Sequence, residues 1–531
     1  MKFPFFDSRQ AAPQTASGAP RRVRRLIAIV ASVAAASVAL SGCLYTLIPE
    51  SAPTSTASAA PDTTGVAAEL LPFYDQALAW SACEPFECTT VTAPLDWANP
   101  AAGQIELSVI RQRALSGSAI GSLLTNPGGP GASGVGLIRD SIGFAVGSAL
   151  QDQFDVIGFD PRGVGESTAV RCFDAAEMDA YLFDVPANPR GSDAWTAERN
   201  EWNQRFSDAC EAGSDGILPF ITTENAARDM DLLRAVLGDT ELNYLGYSYG
   251  TFLGATFAKL YPERVGRLVL DGAIDPSVSG LDVGTIQAIG FESALRAYMA
   301  DCLEGSDCPF RGTVDEAMAD LGTMLAGVDR RPLPSSDGRL LGADSLLTGI
   351  IAALYAQGSW PFLTTALDEV LQGNPDVAFQ LADIYYNRQD GAYLDNSTEA
   401  FRAYNCMDYP AGITDEEQAA ADALLAAEAP TVAPYWAGPD PCESWPYPST
   451  GVRETITAAG AAPIVVVGTT NDPATPYEWS VALADQLESG VLVTRVGEGH
   501  TGYNKGNACV DRAVESYLLQ GTVPEDGLRC Q

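Results

Sequence analysis

The chain is 531 residues long, with 31 Lys and Arg against 68 Asp and Glu and a formal net charge of −37. A nucleic-acid binder needs basic stripes to neutralise phosphates, so this balance excludes that class. With 46% hydrophobic residues the chain can fill a sizeable core. Its length allows roughly two to four average domains, or one large domain with an insertion.

Residues 1–42 read as an export signal. Arg21, Arg22, Arg24 and Arg25 precede the apolar run 26–40, LIAIVASVAAASVAL, which is short and Ala-rich for a membrane span. The run closes on Leu40-Ser41-Gly42-Cys43, which resembles a bacterial lipobox with Cys43 as the lipidated residue; an ordinary signal peptide or a membrane anchor is the alternative. Residues 43–75, rich at first in Ser, Thr, Ala and Pro, are expected to form a flexible tether.

From 76 to 275 short apolar runs alternate with helical patterns. Strand candidates are Ile105–Ile110, Ser122–Thr125, Phe154–Phe159, Leu242–Leu245 and Arg267–Leu270. From 276 to 455 the pattern turns helical, as in Ser293–Asp301 and Asp344–Tyr355. Strands resume in 456–531 with Ile464–Val467 and Val491–Val493. Buried runs separated by helices indicate an α/β fold with a mostly parallel sheet. A helical insertion between two strands predicts a cap over the strand ends, where such sheets bind ligands; an independent helical domain is the alternative.

Of eleven cysteines, setting Cys43 aside leaves an even ten, as an oxidising compartment favours. Neighbours in sequence suggest the pairs 83–88, 172–210, 302–308, 406–442 and 509–530. No C-x-x-C pair is present and the chain has a single histidine, so neither a metal nor a cofactor is implied.

That histidine, His500, lies in Val-Gly-Glu-Gly-His-Thr-Gly-Tyr (496–503). Upstream, Gly246-Tyr247-Ser248-Tyr249-Gly250 spells G-x-S-x-G between a strand candidate and a helical run, Thr251–Leu260. If Ser248 is a nucleophile activated by a histidine, His500 is its base. The acid that orients the imidazole is expected to be Asp472, just after strand 464–467; Asp271, at the end of the strand after the elbow helix, is the rival. Acyl transfer needs two backbone donors for the oxyanion. Tyr249 N–H, directly after the serine, is one. The other is assigned to Gly129 in Asn126-Pro-Gly-Gly-Pro-Gly131, because Pro130 has no N–H. In Phe159-Asp-Pro-Arg-Gly163, Asp160 and Arg162 are expected to brace the oxyanion and elbow loops.

Six motifs together resemble the exported actinobacterial tripeptidyl aminopeptidases: NPGGPGASG (126–134), FDPRGVGES (159–167), GYSYGTFLGA (246–255), VLDG (269–272), GTTNDPATPYEWS (468–480) and GHTGY (499–503). The resemblance covers roughly residues 80–531. It implies an α/β-hydrolase fold with a large helical cap insertion, related to prolyl aminopeptidases and with a TAP-like C-terminal region. It also implies Ser248, Asp472 and His500 as nucleophile, acid and base. Prolyl aminopeptidases begin the oxyanion loop with His-Gly-Gly-Pro-Gly; Pro127 here replaces that histidine, which weakens transfer of a narrow proline preference.

The expected function is an exported, membrane-anchored serine aminopeptidase that releases short peptides from free N-termini and acts as a monomer. A carboxylate such as Glu224, Asp368 or Glu369 is a candidate for the substrate ammonium. An envelope esterase with the same triad is the alternative, and a non-catalytic peptide-binding lipoprotein the more remote one.

Overall fold

The computed structural model describes residues 60–410, 412–436 and 438–531. The export signal of 1–42, the lipobox Cys43 and the first part of the tether lie outside the described residues.

Ten strands form one sheet: β1 (Ser81–Cys83), β2 (Phe86–Pro94), β3 (Gln104–Gln112), β4 (Ser122–Asn126), β5 (Asp155–Phe159), β6 (Leu242–Tyr247), β7 (Val265–Asp271), β8 (Ile464–Asn471), β9 (Gly490–Glu498) and β10 (Leu528–Cys530). Their spatial order is β1-β2-β3-β5-β4-β6-β7-β8-β9-β10. The pairs β1–β2, β2–β3 and β3–β5 are antiparallel. All pairs from β5–β4 onward are parallel. The central strands read as continuous apolar runs because both faces are covered. In β4, Leu123 belongs to one core cluster and Leu124 to another; Val465 and Val466 of β8 divide in the same way.

Helices α1 (Gly134–Ala145), α2 (Thr223–Leu237) and α3 (Tyr249–Leu260) follow or precede the central strands. Between β7 and β8 come α4 (Gly280–Glu304), α5 (Val314–Arg330), α6 (Ala343–Leu354), α7 (Trp360–Leu371), α8 (Asp376–Tyr385), α9 (Ser397–Asp408) and α10 (Asp415–Glu428). Local chemistry starts several of them. Ser279 caps α4, and Thr313 with Glu316 and Thr414 with Glu417 close capping boxes on α5 and α10. Phe291, Tyr298, Leu321, Leu347 and Leu363 give these helices an apolar cluster of their own. The chain ends through α11 (Tyr477–Gln486) and α12 (Ala508–Gln520).

Two features differ from the sequence reading. Strands β1, β2 and β10 carry too few buried residues in sequence to announce themselves: β2 is FECTTVTAP, with four of its positions half-buried or exposed in succession. The tether expected through residue 75 is already docked from Asp62 on. Asp62 N–H donates to Ala235 O at 2.9 Å, and its carboxylate meets Arg234 at 2.9 Å. Tyr74 is buried and donates to Asp231 at 2.6 Å. The polar composition hid Val66, Leu70 and Phe73, which pack on the core.

Among the described residues five disulfides join the sequence neighbours, Cys83–Cys88, Cys172–Cys210, Cys302–Cys308, Cys406–Cys442 and Cys509–Cys530. No described helix is long and apolar enough to cross a membrane.

Candidate active site

The strand order turns at β4, whose neighbours β5 and β6 leave it on opposite sides. Ligands of open α/β sheets bind at such switch points, beyond the carboxyl ends of the strands. The loop after β4 and the turn after β6 meet at that place.

Ser248 joins β6 to α3 with φ 56° and ψ −124°. A non-glycine residue in this region is strained, on the order of 1–3 kcal/mol, and persists only where its surroundings hold it. Here Ser248 N–H donates to Asp271 O at 2.9 Å and Tyr244 OH to Gly250 O at 2.8 Å. The flanking glycines serve close packing. A Cβ on Gly246 would lie 2.5 Å from Gly250 O, and one on Gly250 would lie 2.9 Å from Asn126 Oδ1.

The loop 126–133 lies on this elbow. Asn126 Oδ1 accepts Gly128 N–H at 2.9 Å. Gly128, with φ 96°, approaches so closely that a Cβ there would lie 2.5 Å from Tyr247 O, 2.8 Å from Ser248 Cβ and 3.1 Å from Tyr249 N. Neither Gly129 N–H nor Tyr249 N–H has a protein acceptor among the described residues. Beyond the loop Asp160 anchors α1: its carboxylate accepts Ser133 Oγ at 2.6 Å and the Val135 and Glu166 N–H groups. Burial raises this carboxyl above its ordinary range, and the three donors oppose the shift. Arg162 does not reach the elbow. It forms a buried two-point pair with Asp229 of α2, both bonds 2.7 Å, and also donates to Pro94 O and Leu95 O.

His500 arrives on the loop after β9. Its Nδ1 lies 2.8 and 2.9 Å from the two carboxylate oxygens of Asp472. Asp472 is buried; its Oδ1 also accepts the Ala474 and Thr475 N–H groups, and its Oδ2 accepts Thr501 N–H at 3.0 Å. A carboxylate so held accepts the Nδ1 proton and leaves Nε2 as the acceptor nitrogen.

Asp271 does not face the ring. It accepts Gly502 N–H at 2.7 Å and Tyr503 N–H at 2.8 Å, while its own carbonyl takes Ser248 N–H. It thus ties the elbow to the backbone that follows His500. Burial raises the Asp271 carboxyl to about 6, and the two backbone donors oppose that shift only in part. The three ammonium candidates have polar partners of their own. Glu224 pairs with Arg228, while Asp368 and Glu369 accept from Gln372 and Asn374 on their own helix end.

Two neighbours of the ring were not read from the sequence. Thr475 Oγ1 lies 3.3 Å from His500 Nδ1 and sits inside the motif that carries Asp472. Tyr355, at the end of α6, accepts His500 N–H on its carbonyl at 2.8 Å and sets its ring edge-on to the imidazole, centroids 5.3 Å apart. No motif marks Tyr355, because it comes from a helix more than a hundred residues upstream.

A family model for TAP-like proteins matches residues 429–530, the segment that carries Asp472 and His500. Serine protease Hip1 of Mycobacterium tuberculosis is 33% identical over 96% of this chain and 98% of its own length. The tripeptidyl aminopeptidase of Streptomyces lividans is 30% identical over 86% of each chain. The chain belongs to the tripeptidyl aminopeptidase family of α/β-hydrolase serine peptidases. Another relative is carboxylesterase B of Mycobacterium tuberculosis, 36% identical over 85% of this chain and 89% of its own length. As a member of this family the protein is a serine hydrolase.

Proposed function

We propose that the protein is an exported, lipid-anchored aminopeptidase that cleaves short peptides, tripeptides in particular, from free N-termini through an acyl-enzyme. The observation that carries the catalytic part is the two-oxygen grip of Asp472 on His500 Nδ1, which leaves Nε2 to serve Ser248. His500 removes the Ser248 proton as Oγ attacks the carbonyl. The oxyanion is held by the N–H groups of Gly129 and Tyr249. His500 then protonates the leaving amine, and water, activated by the same nitrogen, releases the acyl group.

The helices between β7 and β8 act as a cap that restricts entry to chain ends; the contact of Tyr355 with His500 supports this placement. The aminopeptidase preference rests on the Streptomyces relative's name. Five disulfides suit an oxidising compartment outside the cytoplasm. Lipidation at Cys43 rests on the sequence motif; Cys43→Ser should move the protein from the detergent phase to the aqueous phase.

Carboxylesterase B supports a second reading, an esterase with the same triad. One experiment separates them: hydrolysis of a tripeptide p-nitroanilide, its N-acetylated form and p-nitrophenyl butyrate by wild type and Ser248→Ala. Serine-dependent cleavage of the free-amine anilide but not the acetylated one is expected. Serine-dependent ester cleavage with both anilides untouched would replace this reading by the esterase.

A further inference from the structure

Tyr249 carries more than the N–H assigned to the oxyanion. Its phenol meets Thr223 Oγ1 at 2.6 Å, and Thr223 Oγ1 in turn donates to Asp408 Oδ2 at 2.6 Å. Asp408 Oδ1 accepts Thr223 N–H at 2.9 Å. All three side chains are buried. The polarity of the chain follows from its end. A carboxylate only accepts, so Thr223 directs its proton to Asp408 and Tyr249 directs its own to Thr223. Three elements meet here: Thr223 opens α2, Tyr249 opens α3, and Asp408 closes α9 in the helical insertion.

Asp408 is itself well fixed. Met407 O accepts Thr450 N–H, Gly451 N–H and Ser449 Oγ, and the neighbouring Cys406 is bonded to Cys442. The Arg453 guanidinium, which lies over the rings of Phe252 and Tyr409, is the positive charge that acts on it, and Glu224, Tyr404 and Tyr409 are the other titratable groups around it. The same helix, α9, also covers the other arm of the site. A Cβ on Gly131 of the oxyanion loop would lie 2.8 Å from Ser397 O and 3.0 Å from Ala400 Cβ.

We propose that Asp408 is a positioning residue which, through Thr223 and the Tyr249 phenol, holds the first turn of α3 so that Tyr249 N–H stays aimed at the oxyanion. This rests on the reading of Ser248 as nucleophile and Tyr249 N–H as oxyanion donor. The physical need is local. Tyr249 is the first residue of α3, so its N–H is one of the helix's four unpaired donors; the Ser248 carbonyl of the same peptide accepts Thr251 N–H at 2.8 Å and Thr251 Oγ1 at 2.6 Å, which leaves the Tyr249 Cα side to be held by its own side chain. A side chain tethered at its far end holds that plane from the other side of Cα. The tether runs to the insertion, so docking of α9 and oxyanion geometry are linked.

The test uses the full-length enzyme and the Thr223→Val, Thr223→Ser and Tyr249→Phe variants. Val keeps the shape and removes the hydroxyl that links both neighbours; Phe keeps the backbone N–H. Measured are kcat, KM, the melting temperature, inhibition by a peptidyl boronic acid whose adduct mimics the tetrahedral intermediate, and inhibition by the corresponding product acid. Expected for Val and Phe is a fall in kcat of about tenfold with the same loss in boronate affinity. KM and product-acid inhibition should stay within about twofold of wild type. Thr223→Ser should restore kcat. Unchanged kcat and boronate affinity in both variants overturns the proposal, as does a loss confined to KM or to the melting temperature. Ser248→Ala, run alongside, separates the two failures: if it stays active, the nucleophile reading falls regardless of Thr223.

Discussion

Gly128→Ala is the sharpest perturbation of the site that leaves every reacting side chain in place. The new Cβ would meet Tyr247 O at 2.5 Å and Ser248 Cβ at 2.8 Å, both on the elbow, and Tyr249 N at 3.1 Å. Two of these neighbours are backbone atoms and the third is the Cβ of Ser248, so no flexible side chain can give way. Ordinary contact needs about 3.5 Å, so the loop must lift from the elbow by roughly 0.5–1 Å. With φ at 96°, alanine adds backbone strain of about 1–2 kcal/mol, and overpacking adds about 1–3 kcal/mol. A displacement near 1 Å misaligns the Gly129 N–H against Tyr249 N–H. Loss of one oxyanion donor costs about 100- to 1000-fold in kcat. The assay is kcat on p-nitrophenyl butyrate and on the tripeptide anilide, normalised to folded protein by circular dichroism and thermal melting. Gly143→Ala is the control, since a Cβ there meets nothing within 4 Å; its kcat should match wild type. A folded Gly128→Ala enzyme with kcat within about tenfold of wild type would refute the packing argument and the oxyanion assignment with it.

The two carboxylates near His500 should separate in kinetics. Asp472→Asn is expected to lower kcat by about 10,000-fold, through the wrong imidazole tautomer and the lost charge. Asp271→Asn should mainly cost stability, about 1–3 kcal/mol by denaturant titration, because an amide cannot accept from both Gly502 and Tyr503; the reverse ranking of kcat losses would make Asp271 the acid. Burial pushes the Asp408 carboxyl up to about 6 from 3.8, so the folded state holds that proton more tightly than the unfolded chain, and stability falls as pH rises through that window. Asp408→Asn removes this penalty, so its stability relative to wild type should improve by up to about 3 kcal/mol between pH 4 and pH 7; a difference constant with pH in urea titrations would show that Asp408 does not titrate there. Replacing both Cys172 and Cys210 by Ser opens a loop with a sequence separation of 38 and should cost about 4 kcal/mol in the same titration; a loss under about 1 kcal/mol would show that the unfolded chain is already constrained there.

Much of the site was legible in the sequence because its parts are bound to local turns. The elbow needs small residues on both sides of one serine, and Gly246 and Gly250 stand where side chains would strike Gly250 O and Asn126. A single histidine left one candidate base. The disulfides were legible because each joins cysteines that are consecutive in the sequence. The weak outer strands and the docking of residues 62–74 were not, since both depend on surfaces supplied by distant segments.

The choice between the two carboxylates belongs to the tertiary structure. Asp271 is still paired in the sheet, opposite Val467, and its side chain turns under the loop that follows His500. Asp472 comes after the irregularity at the end of β8, free of the ladder, and its carboxylate turns back to the ring. The same holds for Tyr355 at His500 and for Asp408 behind Tyr249. Reading along the chain was enough to single out the candidate nucleophile, acids and base and their order, because each sits in a motif with its own local geometry. Which carboxylate meets the imidazole, and that Tyr355 lies against His500 and Asp408 behind Tyr249, came from the folded chain alone, because those contacts join residues that no sequence period connects.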